Sequence, residues 1–443
     1  MKLTAFKSYD VRGVYPTDIN EELAAAAAKA FVFHMRAGKI VIGRDGRTSS
    51  PSIHAAVVEA IMELGVDVFD IGLCPSPLFN YAVATKGFPG GIMITASHSP
   101  PEYNALKMNK EGIQICSPGE LDDVKKLVID PSPIKPLGQG RGRKVILDVL
   151  KDYVKEVVEH FEKVKGLRVV VDFANGMGAI TARPVFEKLG LDFVFLNEEV
   201  NFVNPDHLAN PLEEKNLVQI RKAVVEEKAD CGIFFDGDAD RVIFIDEKGR
   251  PIYPDILTAI IAPHELQGRA DKRVYYDLRF SKAVPDVIRE HRGDPVMLRV
   301  GNPFYKEKLK NAGGVFAAEL SGHMMFQDHY AIDDGLYASL KILKVIVSES
   351  KKLSVLADAV NKYHASPELN FHVKDADATM KKVRSSFKGG KVLELDGLTL
   401  DFGDWWFNIR KSMTDPVVRL RIEADTAETL AAMRKKIEGI IEE

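Results

Sequence analysis

Cysteine is scarce in this 443-residue chain. The three present, Cys74, Cys116 and Cys231, are odd in number, far apart and in no metal-ligand spacing. That excludes a disulfide framework and suits a reducing compartment. An excess of charge of one sign is also missing. Sixty basic residues against 64 acidic ones leave a net charge of −4. No domain-wide basic footprint for nucleic acid exists, and only a local basic pocket stays open. Long apolar runs are absent too. The longest, Leu23 to Phe33, is broken by Lys29, far short of the roughly 20 residues a membrane span needs. The opening MKLTAFKSYDVRG has no apolar signal core, so no signal peptide is expected and the cytoplasm is the expected location. Glycine, proline and the 46% hydrophobic content are ordinary, which excludes disordered and collagen-like chains.

What is present is alternation. Lys39-Ile40-Val41-Ile42-Gly43 reads as a strand, 51–64 as a helix, 66–71 as a strand and 91–95 as a strand ending in a polar turn. The pattern restarts with a charged helix over 145–164 and a buried strand at 167–171. It restarts again after Glu247-Lys248-Gly249-Arg250-Pro251, with helix 255–265, strand 273–277, helix 281–291 and strand 295–299. Beyond Lys351 the character changes: strand-like runs near 398–402, 405–409 and 417–422 precede a helix at 426–442. Such alternation argues for α/β units with largely parallel cores, followed by a smaller α+β unit. The inferred units are 1–142, 143–249, 250–361 and 362–443, and any repeat among the first three is architectural, since no sequence identity links them.

Four strings carry chemistry. In Ile94-Thr95-Ala96-Ser97-His98-Ser99-Pro100-Pro101, a strand runs into a tight turn that exposes a serine at the carboxyl end of a sheet, where α/β folds place ligands. A serine hydroxyl needs a base or a cation to become a nucleophile, and His98 and Lys107 are near in sequence. A serine hydrolase would instead need glycines where Thr95 and Ser99 stand. In Asp236-Gly237-Asp238-Ala239-Asp240-Arg241, three carboxylates alternate in a turn between apolar strands. Like charges so placed raise one another's pKa unless a cation is shared, and an all-oxygen set suits Mg²⁺ or Ca²⁺. An EF-hand calcium module is disfavoured: Arg241 replaces the sixth-position glycine and strands, not helices, flank the loop. Glu319-Leu320-Ser321-Gly322-His323, followed by Asp333-Asp334-Gly335, offers donors and acceptors suited to sugar hydroxyls. Asn408-Ile409-Arg410-Lys411-Ser412-Met413-Thr414 offers cations and hydroxyls suited to phosphate, or else is a solvated hairpin turn. The turn Gly176-Met177-Gly178 is no dinucleotide fingerprint, because Thr181 stands where its third glycine would fall.

Together, and in this order after Tyr9-Asp10-Val11-Arg12-Gly13, these strings resemble the α-D-phosphohexomutase family, especially bacterial phosphomannomutase/phosphoglucomutase. Val41-Ile42-Gly43-Arg44-Asp45-Gly46-Arg47 and Val171-Asp172-Phe173-Ala174-Asn175-Gly176 are similar to family strings as well, so the likeness spans the chain. The resemblance implies a four-domain, heart-shaped enzyme, with three α/β domains of mixed sheets and a smaller α+β C-terminal domain. It implies a mutase that interconverts hexose 6-phosphate and hexose 1-phosphate through a phosphoserine enzyme and a hexose 1,6-bisphosphate intermediate, which also serves as activator. It implies that Ser97 carries the phosphoryl group and that Asp236, Asp238 and Asp240, with a phosphoserine oxygen, hold Mg²⁺. Arg12, His98, Lys107 and Arg241 would line the reaction centre, and His323 would sit near the transferred proton. Glu319 and Ser321 would grip sugar hydroxyls, Arg410, Ser412 and Thr414 the non-reacting phosphate, and Tyr9 and Arg279 would complete the pocket. The expected partners are small-molecule sugar phosphates, with neither nucleic acid nor membrane, and the expected state is a monomer, a dimer being the alternative. Departures from the family strings are Asn302 for His, Met413 for Asn, Ala105 and Ala318 for Gly, and Ser99 for Asn. Leu320, where glucosamine-specific relatives carry Gln, favours mannose and glucose phosphates over glucosamine phosphate, which remains the alternative within the family.

Overall fold

A computed structural model describes residues 3–411 and 417–442. It contains four sheets of seven, five, four and six strands, one after another along the chain. The first three are built on one plan. In the first, Lys39–Arg44 lies between the parallel strands Asp67–Leu73 and Gly90–Ile94, and Gly90–Ile94 then pairs antiparallel with Tyr103–Lys110. In the second, Arg168–Asp172 lies between Asp192–Leu196 and Cys231–Phe235, and Cys231–Phe235 pairs antiparallel with Val242–Asp246. In the third, Arg273–Asp277 lies between Asp294–Leu298 and Phe316–Ala318, and Phe316–Ala318 pairs antiparallel with Met324–Phe326. Each unit therefore ends a parallel strand in a hairpin-like return, and that return is the serine, aspartate or sugar string. The expected architectural repeat is present without sequence identity.

The strands form where uninterrupted apolar runs make them buried on both faces. Ile40, Ile42, Ile92 and Ile94 face a core shared with the helices Glu21–Met35 and Ser50–Glu63. Val41 and Met93 face the other way, into a core that continues through the second and third units. The first three units thus share one apolar interior. The fourth sheet is antiparallel throughout and has its own core around Trp405, Phe407, Leu420 and Ile437. It meets the third unit through polar contacts: Arg421 Nη2 to Asp255 Oδ2 at 3.1 Å, Lys282 N to Glu423 Oε1 at 2.9 Å, and Val300 N to Asp396 Oδ2 at 3.1 Å.

One element differs from its sequence reading. The charged helix expected over 145–164 is a strand, Lys144–Ile146, followed by the helix Leu150–His160. Val145 is taken up by a parallel ladder beside Phe69, so Lys144–Ile146 extends the first sheet. Among the described residues no helix is long and apolar enough to cross a membrane.

Candidate active site

The serine turn is held in a conformation that an L-residue adopts only under constraint. Ser97 is buried, with φ of +52°, a left-handed backbone that costs on the order of 1 kcal/mol or more. Thr95 Oγ1 accepts from Ser97 N at 3.0 Å. The main constraint comes from Arg47, fully buried, whose guanidinium donates to the carbonyls of Ser97 (2.8 Å), Ser99 (2.7 Å), Pro100 (2.6 Å) and Tyr103 (3.0 Å). Asp45 Oδ2 accepts from its Nε at 3.1 Å, and the Phe202 ring of the second unit stacks 5.0 Å away. The turn is thereby tied into one rigid loop that presents the serine hydroxyl to the aspartate string.

Ser97 Oγ donates to Asp236 Oδ2 at 2.8 Å and lies 3.1 Å from His98 Nδ1. The two loops touch so closely that a Cβ on Gly237 would fall 2.6 Å from the Ser97 carbonyl oxygen. Asp236, Asp238 and Asp240 are all buried, with one oxygen of each within 4.8 Å of the others. Burial, then the charges of Asp240 and Asp238, push Asp236 well above the usual carboxylate range. Burial would also raise Asp238 and Asp240, but Lys107 holds both below it. Lys107 Nζ reaches Asp238 Oδ2 at 2.6 Å and Asp240 Oδ2 at 3.1 Å, and Ser76 Oγ donates to Asp238 Oδ2 at 2.6 Å. Asp238 Oδ1 and Asp240 Oδ1 are buried with no hydrogen-bond partner among the described residues. Three carboxylates against the Lys107 ammonium and the more distant Arg241, with two oxygens that accept no hydrogen bond, are a donor set that fits a hard divalent cation.

Cations surround this centre. Arg12, on Val11–Val14, faces Ala105 across an antiparallel pair, which puts it on the same sheet face as Lys107. Its Nη1 donates to Ser99 Oγ at 2.9 Å, and Asp10 holds its other side at 2.8 Å. Arg241 Nε lies 3.7 Å from Asp236 and 3.6 Å from Asp240. Burial, with Arg241 and Arg12 close by, pushes His98 well below the usual histidine range, so it is neutral beside Ser97.

The sugar string docks onto the aspartate string by a backbone bridge between Arg241 and His323. Gly322, at φ +103°, permits it: a Cβ there would meet Arg241 and Val242 atoms at 3.1–3.3 Å. His323 Nδ1 lies 3.4 Å from Asp333 and 3.7 Å from Asp240, with Asn302 Nδ2 at 3.1 Å. Asp333 is in turn held by Lys306 at 2.5 Å and by Asn80 at 3.0 Å. A cavity of about 160 Å³ opens between these groups, lined by Tyr9, Arg12, Lys107, Arg241, Asn302, Glu319, Ser321 and His323. Tyr9 donates to the Val300 carbonyl at 3.3 Å, and burial pushes its phenol up to about 12, so it stays protonated. Ser321 Oγ is buried and unpartnered among the described residues. Glu319 approaches Arg279 Nη2 at 3.5 Å. Arg279 is clamped by Asp277 at 2.5–3.2 Å and joined through Glu368 to Arg410 of the fourth unit.

The structure thus brings together Ser97, His98, Lys107, Arg12, Tyr9, the three aspartates, Arg241, Glu319, Ser321 and His323, with Arg279 and Arg410 at the Glu319 end. Ser412 and Thr414 lie outside the described residues. Arg47, Ser76, Asp333 and Glu368 were not singled out as site residues by the sequence. Arg47 and Asp333 stand in quoted strings, but their contacts are far away in the chain, and Ser76 and Glu368 carry no local signal.

With this geometry in view, comparison with known proteins covers nearly the whole chain. Models described as phosphoglucomutase/phosphomannomutase, alpha/beta/alpha domains I, II and III, match residues 3–127, 151–249 and 253–363, and the C-terminal domain of the same family matches 343–440. A phosphomannomutase of Methanocaldococcus jannaschii is 35% identical over 99% of this chain and 97% of its own. A phosphomannomutase/phosphoglucomutase of Pseudomonas aeruginosa is 30% identical over 97% of this chain and 93% of its own. The crystal structure of a phosphoglucomutase/phosphomannomutase family protein from Burkholderia thailandensis superposes with a TM-score of 0.92, at 30% identity, over 100% of this chain and 97% of that one.

The buried Arg47 yields a stability prediction. Arg47→Ala removes the guanidinium that donates to four carbonyls and to Asp45 Oδ2, and loss of one partner of a buried pair costs about 3–5 kcal/mol. The urea midpoint of the unfolding transition containing the first unit should fall accordingly, with Arg47→Lys intermediate. An unchanged midpoint would show that the loop does not depend on this residue.

Proposed function

The chain belongs to the phosphoglucomutase/phosphomannomutase family, and from that premise we propose that it interconverts the 6- and 1-phosphates of mannose and glucose, with Ser97 as phosphoryl carrier. The observation that carries this reading is the Ser97 hydroxyl held 2.8 Å from Asp236 in a strained, buried turn, while Asp240 of the same aspartate loop and Arg12, bonded to Ser99 of the same serine loop, line the neighbouring cavity with Lys107 and Arg241. In the proposed cycle the phosphoserine P–O bond breaks and a bond forms from phosphorus to the sugar hydroxyl, giving a hexose 1,6-bisphosphate. The sugar hydroxyl loses its proton to His323, and the serine oxygen is left to be protonated. The bisphosphate then presents its other phosphate to Ser97, and the same steps run in reverse. The fourth unit, attached by polar contacts, would close over the sugar and exclude water.

Asp236, Asp238 and Asp240 would hold Mg²⁺ together with a phosphoserine oxygen. When bound, the ion offsets charge on the transferring phosphoryl group. Lys107 and Arg241 add fixed positive charge at the same place, and Arg12 orders the serine loop through Ser99. His98 stays neutral and orients the Ser97 oxygen without adding a charge. Arg279, Arg410 and the string containing Ser412 and Thr414 would hold the phosphate that is not reacting. Glu319 and Ser321 would accept and donate to the sugar, and the unpartnered Ser321 Oγ supports that role.

Two outcomes check this. Excess chelator should abolish mutase activity and Mg²⁺ should restore it; activity that persists in chelator would contradict the assigned aspartates. Glucose and mannose differ only in the orientation of the C2 hydroxyl, which a carboxylate gripping the C3 and C4 hydroxyls does not read. Both 1-phosphates should therefore be turned over. An amine at C2 lacks an acceptor in this loop, and such a mismatch is worth roughly 1–3 kcal/mol or more, so the glucosamine substrate should be poorer by at least about tenfold, a loss of about 1.4 kcal/mol that lies within this range. Specificity constants for mannose, glucose and glucosamine 1-phosphates, measured side by side, test the reading. A preference for the glucosamine substrate would overturn it.

A further inference from the structure

Glu368 lies where the chain passes from the third unit into the fourth, between the strands His364–Ala365 and Leu369–His372. Its carboxylate gathers arginines from both units. Oε1 accepts from Arg279 Nη1 at 3.1 Å and from Arg410 Nη2 at 2.8 Å, and Oε2 lies 3.8 Å from Arg419 Nη1. Burial would raise its pKa, but Arg279 and Arg410 hold it at about 2, so the group is an anion throughout the working range.

The two guanidiniums are held unequally. Arg279 keeps Asp277 on its Nε and Nη2, whatever happens at Nη1. Arg410 is buried, and its Nε has no hydrogen-bond partner among the described residues. Other contacts that anchor the fourth unit, Arg421 with Asp255 and Lys282 with Glu423, do not involve Glu368. The carboxylate can therefore leave without releasing the unit or disordering Arg279. A phosphate dianion offers more acceptor oxygens and more charge than one carboxylate, and guanidinium pairs bind it bidentately.

We propose that Glu368 is an internal anion that occupies the Arg279–Arg410 pair until a substrate phosphate displaces it. It thereby weakens the binding of every anion there and excludes monoanions that cannot outcompete it. The inference rests on the reading of Arg279 and Arg410 as phosphate ligands.

Calorimetric titration of the full-length protein with inorganic phosphate tests it. Glu368→Gln should bind phosphate more tightly by roughly three- to tenfold, the effect of one like charge removed from a partly solvated site. Glu368→Asp, with its carboxylate drawn back, should tighten binding by less, and it decides the matter if the Gln variant does not fold. Arg410→Ala should weaken binding by about tenfold or more. A Glu368 variant that binds phosphate equally or more weakly, while Arg410→Ala is weakened, overturns the inference alone and leaves a simple structural ion pair. An Arg410→Ala variant that binds as the parent does overturns the phosphate reading beneath it.

Discussion

Three buried carboxylates of one turn meet a serine hydroxyl delivered by another, and much of the surrounding structure answers to that concentration of negative charge. Asp236, Asp238 and Asp240 cannot all ionise at such separations without compensation. Lys107 supplies part of it by direct contact with two of them, and Arg241 lies within 4 Å of Asp236 and Asp240. The remainder is the opening for a divalent cation. His98 is kept neutral by its burial, and the cations that serve the aspartates add to that effect. The close approach at Gly237 and the docking of Gly322 follow from the same need, since the serine and sugar strings must reach one charged centre.

The architecture makes that convergence rigid where it must be and divisible where it need not be. Three units of one plan each deliver a loop from the return after a parallel strand, and a single apolar interior fixes the three relative to one another. The fourth unit has a separate core and meets the third through ion pairs and hydrogen bonds. An apolar junction would have resisted separation; a polar one exchanges its contacts with water or with a ligand's phosphate at little net cost. Glu368 sits at that junction, with arginines of both units on one carboxylate.

Much of this is legible in the chain because its signals are local. Runs such as Lys39–Arg44 and Cys231–Phe235 are apolar enough to be strands in any context, and the serine and aspartate strings each carry their chemistry within a few residues. The limit is reached where partners are distant. Arg47 stands in a string similar to family strings that says nothing of its burial, yet it is buried because the carbonyls it satisfies lie about fifty residues further on. Lys306, on the helix Asn302–Ala312, carries no local signal of burial, and it is buried against Asp333. Val145 reads as the start of a charged helix, and the edge of the first sheet captures it instead. In each case a tertiary partner outweighs local propensity.

The claim on which all of this depends is that Ser97 carries the phosphoryl group. Incubation of the dephosphorylated protein with glucose 1,6-bisphosphate, followed by intact-mass measurement and peptide mapping, tests it most directly. One phosphoryl group, about 80 Da, should appear on the peptide containing Ser97 and be absent from Ser97→Ala, which should keep its fold and lose its mutase activity. Stoichiometric label on another residue, or full turnover by Ser97→Ala, would contradict the account.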